Sequence, residues 1–153
     1  MRLWHKDLIP ALPDKQLLGQ WRECCSIAAN IKRLGTPNHI LVNKVMGYKL
    51  SHFYKYCLYI TDEMYIRNMK ISDASKEKIL AITDQDIRMG SEFITYDELF
   101  AGWHDDRYLK QCFYNLQEKF DCGGISIVEW EKIVTAYYKV KNKEIEHDRD
   151  TDS

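Results

Sequence analysis

The chain is short of everything that braces or interrupts a backbone: 153 residues hold three prolines, seven glycines and five cysteines. Five cysteines are an odd number without framework spacing, which points to reduced thiols in a cytoplasm-like compartment rather than a disulfide scaffold. Neighbouring Cys24 and Cys25 diverge too far on a helix to share a metal easily, and read as small packing residues. No run approaches 18 uncharged apolar residues, so no membrane span is expected. His5, Lys6 and Asp7 interrupt the first apolar residues, and nothing there reads as a signal peptide. The chain has no P-loop, no GxGxxG, no zinc-type Cys/His spacing and no internal repeat. It also lacks a convincing alternating strand or hairpin turn. A net charge of −1, taken as a single number, speaks against a polyanion partner, but the charge is unevenly spread. Residues 1–72 carry 11 Lys/Arg against 5 Asp/Glu, and residues 73–153 carry 11 against 18. A chain polarised in this way can present one basic face to nucleic acid.

What is present is helical. Met1 to Leu12 reads as a short extended arm ending in the Pro10/Pro13 pair. Asp14 then supplies the expected N-cap of a first long helix over about residues 14–33, closed by Lys32, Arg33 and Gly35. Leu17, Trp21, Cys24, Ala28 and Ile31 follow at helical spacing, so one stripe of this helix faces a core. Glu23 falls about 120° off that stripe, on a strip with Gln16, Gln20 and Asn30. Gly19 lies one turn before Glu23, where a larger side chain would crowd the approach to the carboxylate. A glycine inside a helix costs about 1 kcal/mol against alanine, so its place there suggests that something must come close.

Thr36-Pro37-Asn38 restarts the chain, and Ile40, Leu41 and Val45 predict a short helix ending before Gly47. A second long helix is expected from Tyr48 to Lys70, with Leu50, Phe53, Cys57, Ile60 and Met64 on its buried face. His52, Lys55 and Tyr59 fall away from that face. Residues 72–91 predict one or two short helices, and residues 96–101 a further helical turn. His104, Asp105 and Asp106 have the residue types of a metal site, but Asp105 serves better as the N-cap of a following helix. After Cys122-Gly123-Gly124 a last helix is expected over residues 127–143, and the charged residues 144–153 are expected to fray. The expected fold is therefore all-α: one compact domain over residues 1–143, with two long crossing helices and several shorter ones.

Met1-Arg2-Leu3-Trp4-His5, Leu8-Ile9-Pro10 and Gln16-Leu17-Leu18-Gly19-Gln20, followed by Arg22-Glu23-Cys24-Cys25, resemble the start of the pyrimidine dimer DNA glycosylase family. Tyr48 to Lys55 also resembles the family, and Asn38-His39, Val42-Asn43 and Val45, with Trp103 to Leu109 running on to Asn115-Leu116 and Lys119, are similar to its bacterial branch. The resemblance covers roughly residues 1–120 and is scattered after Lys70. It implies an endonuclease V-like fold and a DNA repair glycosylase with AP lyase activity. Such an enzyme works without cofactor or metal on double-stranded DNA containing damaged bases. It also implies a cytoplasmic monomer.

Site residues follow from the same resemblance. The family's nucleophile is the N-terminal α-amine, which places Met1 at the reaction. Its acid/base is the first-helix glutamate, which falls on Glu23, and the neighbouring Arg22 is the DNA contact. Arg2, Lys32, Arg33, His52 and Lys55 are the further residues expected to meet DNA; for His52 a surface histidine beside aromatics is an equal alternative. An α-amine has a pKa near 8, so far more of it is neutral at pH 7 than of a lysine.

Two positions depart from the family pattern. Methionine removal generally needs a small second residue, so with Arg2 there Met1 is expected to stay, moving the amine about 3.5 Å further out. Gln16 stands where the family has a histidine. A catalytically silent nucleic-acid-binding relative is therefore one alternative, and a metal-dependent hydrolase built on the histidines a more distant one.

Overall fold

Seven α-helices and one short 3₁₀ helix make up the described part of the chain, with no strand among the described residues. The computed structural model describes residues 2–34 and 39–152. Met1, residues 35–38 and Ser153 lie outside them, and with them the expected Gly35 stop and the Thr36-Pro37-Asn38 restart. The 3₁₀ helix spans Lys6–Ala11, and the α-helices are α1 Asp14–Leu34, α2 Ile40–Met46, α3 Leu50–Ile66, α4 Asp73–Leu80, α5 Gln85–Ser91, α6 Asp106–Asp121 and α7 Ile127–Thr151. No helix among the described residues is long and apolar enough to cross a membrane.

The two long amphipathic helices pack where their apolar spacing places them. Leu17, Trp21, Cys24, Ala28 and Ile31 of α1 are all buried, as are Phe53, Cys57, Ile60 and Met64 of α3. α1 lies against α3 and α4, α3 also carries α5, and α6 packs on α7. Burying such stripes supplies most of the stability of a helical domain, since isolated helices of this length are marginal in water.

Several boundaries differ from the expected ones for local chemical reasons. The first twelve residues are not extended throughout: the His5 ring accepts from the Asp7 N–H at 3.1 Å, the Leu8 N–H bonds the His5 carbonyl at 2.9 Å, and the chain winds into the 3₁₀ helix. Asp14 is the first residue of α1 rather than its cap. The Pro13 carbonyl accepts the first helical bond from Leu17 at 2.9 Å, and the Asp14 carboxylate accepts from Arg67 at 2.9 Å. α3 stops at Ile66 rather than running to Lys70, because Asn68 takes a left-handed conformation (φ 58°). The Met69 and Asn68 N–H groups then bond back to the Met64 and Tyr65 carbonyls, a Schellman closure that asparagine tolerates. Asp105 caps α6 by accepting from the Tyr108 N–H at 2.9 Å. α7 opens on a reciprocal Ser126/Glu129 capping box and continues past Lys143 to Thr151, with residues 142–152 exposed.

The N-terminal arm is the unusual part of the core. Leu3, Trp4, His5 and Lys6 are all buried, and the 3₁₀ helix that follows packs on α3 and α7. Lys6 buries its ammonium by donating to the carbonyls of Tyr96 at 2.5 Å and Leu99 at 2.9 Å. Burial nonetheless pulls the Lys6 pKa below that of an ordinary lysine.

Candidate active site

The site is built from one face of α1 and the arm laid along it. Gln16, Gly19, Gln20 and Glu23 recur at three- and four-residue steps and so share one face of the helix. Gln20 grips the arm from this face. Its carbonyl oxygen accepts from the Trp4 N–H at 2.5 Å, and its amide donates to the Arg2 carbonyl at 2.9 Å. The buried Tyr56 hydroxyl of α3 donates to the Trp4 carbonyl at 2.6 Å, and the Tyr108 hydroxyl donates to the Leu3 carbonyl. The His5 N–H points at Cys112 Sγ at 3.4 Å, and the Lys6 N–H donates to His104 Nδ1 at 3.0 Å. Residues from α1, α3 and α6, with His104 just before α6, thus fix the backbone of positions 2–6.

Between the arm and α1 lies an open cleft of about 410 Å³. The arm contributes Arg2 and Trp4, α1 contributes Lys15, Gln16, Gly19, Gln20 and Glu23, and α6 contributes Asn115 and Lys119. Gly19 borders this space, and a Cβ built on it would meet no atom within 4 Å. The Arg2 guanidinium stands 5.4 Å over the Trp4 ring, and its charge is felt at Tyr108 and Cys112.

Glu23 is half-buried, and its Oε1 is buried with no hydrogen-bond partner among the described residues. Burial raises the carboxyl pKa above its ordinary value. A carboxyl held above its usual range in a cleft is suited to giving and taking a proton.

The other expected site residues are placed unequally. Met1 lies outside the described residues. Arg22 is exposed beside Glu23, with no hydrogen bond or ion pair to any described residue. Lys32 and Arg33 are exposed near the far end of α1 and border a separate hollow with Glu77 and Lys78 of α4. His52 does not line the cleft: its Nδ1 accepts from the Phe100 N–H at 3.2 Å, its ring lies on Tyr48 and Phe100, and burial lowers its pKa. Lys55 is also elsewhere, its ammonium donating to the carbonyls of Ser91 and Ile94.

The model of the family described as pyrimidine dimer DNA glycosylase matches residues 1–77, half of the chain. The chain belongs to that family. The match takes in the arm, all of α1 with Glu23, and α3. No curated protein and no solved structure matches the chain. Asn115 and Lys119 of the cleft lie outside the matched residues. Both residues share in the sequence resemblance, but their place in the site is not legible there, because nothing local ties a residue of α6 to a helix some 90 positions earlier. Gln20 is legible there as a neighbour of Glu23, but its role as the clamp on the arm is not.

His104 shows the same limit. Its ring is buried, stacked 5.1 Å from His5, with Nδ1 accepting from Lys6, while Asp105 turns away to cap α6. Burial, helped by the charges of His5 and Lys6, pushes its pKa down to about 2. It is a neutral wedge behind the arm.

Proposed function

We propose that this chain is a DNA glycosylase and AP lyase acting on pyrimidine dimer-type lesions in double-stranded DNA. Its N-terminal amine is the nucleophile and Glu23 the acid/base. The amine attacks C1′ of the damaged nucleotide, and the C1′–base bond breaks with its electron pair leaving on the base; the new C1′–N nitrogen then gives up a proton, O4′ takes one, and the C1′–O4′ bond breaks as the C1′=N bond forms. The resulting protein–sugar Schiff base is cationic, and the Glu23 carboxylate beside it stabilises that charge. The same carboxylate then removes a 2′ proton, so that elimination breaks the 3′ C–O bond and nicks the strand. The observation that carries this reading is the unpartnered, half-buried Glu23 carboxyl in an open cleft bordered by the pinned arm.

Arg2 and Arg22 are assigned to the phosphates flanking the lesion, with Lys32 and Arg33 extending the basic strip along α1. The protein acts as a cytoplasmic monomer in this reading.

Glu23→Gln tests it. Strand cleavage of dimer-containing duplex should fall by about 10²–10⁴-fold, the loss typical of a missing acid/base. DNA binding should persist or tighten. Borohydride should trap a covalent protein–DNA adduct with the parent chain, and acetylating the α-amine should abolish it. Cleavage by Glu23→Gln at the parent rate would remove the acid/base assignment and leave a DNA-binding relative. An intact mass of the purified chain shows which residue carries the reacting amine.

A further inference from the structure

Among the described residues, four buried side-chain polar atoms have no hydrogen-bond partner: Arg2 Nη1, Gln16 Oε1, Glu23 Oε1 and His104 Nε2. Three of the four belong to residues that line the single cleft between the arm and α1. Buried polar atoms are normally satisfied, because an unmet donor or acceptor forfeits its hydrogen bond to water and receives nothing in exchange. Three residues bordering this cleft thus each carry a buried polar atom whose missing hydrogen bond a ligand there would supply once the side chain turns toward it. Glu23 and Arg2 already have roles above. Gln16 does not, and the acid/base chemistry has no use for a neutral amide.

Gln16 and Glu23 lie on one face of α1, seven residues and so about 10 Å apart along the axis. That separation suits one nucleoside lying along the cleft, with its sugar at the carboxyl and the far edge of its base at the amide. Gly19 lies between them and leaves the floor open, since even a Cβ there would meet nothing. An amide presents one acceptor and two donors at the same end. The Watson–Crick edge of thymine presents an N3–H donor beside carbonyl acceptors, the complementary pair. Dimer formation leaves this edge intact, since it joins the opposite side of the ring.

We propose that Gln16 reads the N3–H and an adjacent carbonyl of the thymine whose sugar is attacked, making it the specificity residue for the base. The inference rests on the glycosylase reading above and deepens it. It predicts that Gln16 matters only while a base is present.

The test compares two duplexes, one carrying a thymine dimer and one an abasic site, cut by the parent chain and by Gln16→Leu. Leucine keeps the size and the helix and removes both polar atoms. Cleavage at the dimer should fall about ten- to a hundredfold, the range for losing a two-bond hydrogen-bonded pairing with a base, while cleavage at the abasic site stays at the parent rate. A dimer methylated at N3 of the attacked thymine supplies the same test without altering the protein. The parent should lose activity on it by a similar factor, and Gln16→Leu should lose no more. Equal effects on both duplexes, or none on either, would overturn the role of Gln16 while leaving the glycosylase reading intact. A parent chain that cuts the abasic site but not the dimer would also overturn it. A parent chain that cuts neither and traps no adduct would overturn the glycosylase reading itself, and the base recognition with it.

Discussion

Gln20→Leu isolates the contribution of the clamp on the arm. Leucine fills nearly the same volume, so the change removes polar partners without opening a cavity. Two backbone groups are left without a side-chain partner: the Trp4 N–H, now bonded at 2.5 Å, and the Arg2 carbonyl, now bonded at 2.9 Å. Each orphaned group costs about 1–3 kcal/mol, so the variant should lose about 2–6 kcal/mol. The buried Tyr56 hydroxyl loses its second acceptor, Gln20 Oε1 at 3.1 Å, but keeps its bond to the Trp4 carbonyl at 2.6 Å and so is not orphaned. For a chain of this size the midpoint of thermal unfolding should drop by about 5–15 °C, read by circular dichroism. Because the clamp also holds Arg2, the residue that follows the proposed nucleophile, borohydride trapping should fall much further than DNA affinity. Gln20→Glu supplies a sharper variant. It keeps an acceptor for Trp4 but turns an oxygen toward the Arg2 carbonyl, so its trapping should recover only at a pH low enough to protonate it. A change in stability within about 0.5 kcal/mol, with trapping unaffected, would show that the arm does not depend on Gln20.

Further outcomes follow from the same geometry. Gly19→Ala should stabilise the protein by up to about 1 kcal/mol in urea unfolding, because the added Cβ meets no atom, whereas Gly19→Phe should fill the cleft and suppress cleavage in a chain that still folds. His104 is held neutral far below its ordinary 6.5, so the unfolded chain takes up a proton that the native one refuses. Stability that is complete above pH 6.5 should therefore decline as pH falls from there toward 2, and His104→Asn, whose side-chain oxygen can still accept from Lys6, should flatten that decline; an unchanged slope would refute it. Replacing Arg22, Lys32 and Arg33 by alanine should weaken binding to undamaged duplex and reduce the slope of log K against log salt by about 0.9 for each phosphate no longer neutralised.

Much of this molecule is legible in its sequence. Apolar residues at three- and four-residue steps define α1 and α3 because burying a stripe is what makes a helix of that length stable. Glu23 stands out because it lies off that stripe beside Gly19, and because the residues around it resemble a known family in an unbroken register from Met1. Local capping chemistry at Asp105 is equally readable.

Tertiary structure alone decided what surrounds the carboxyl. The arm reads as a short extended segment, and that reading does not show that Leu3 to Lys6 are buried, held by Gln20 across the start of the chain and by Tyr56, His104, Tyr108 and Cys112 from helices and turns far along it. His52 and Lys55 have the residue types of DNA-binding groups, but packing turned them to the backbone of Phe100, Ser91 and Ile94. Asn115 and Lys119 reach the cleft only because the folded chain brings one end of α6 to the same hollow that α1 and the arm line. Periodicity and capping act within a few residues and leave a trace in the sequence. Which distant donor satisfies a buried carbonyl is settled only when the chain closes on itself.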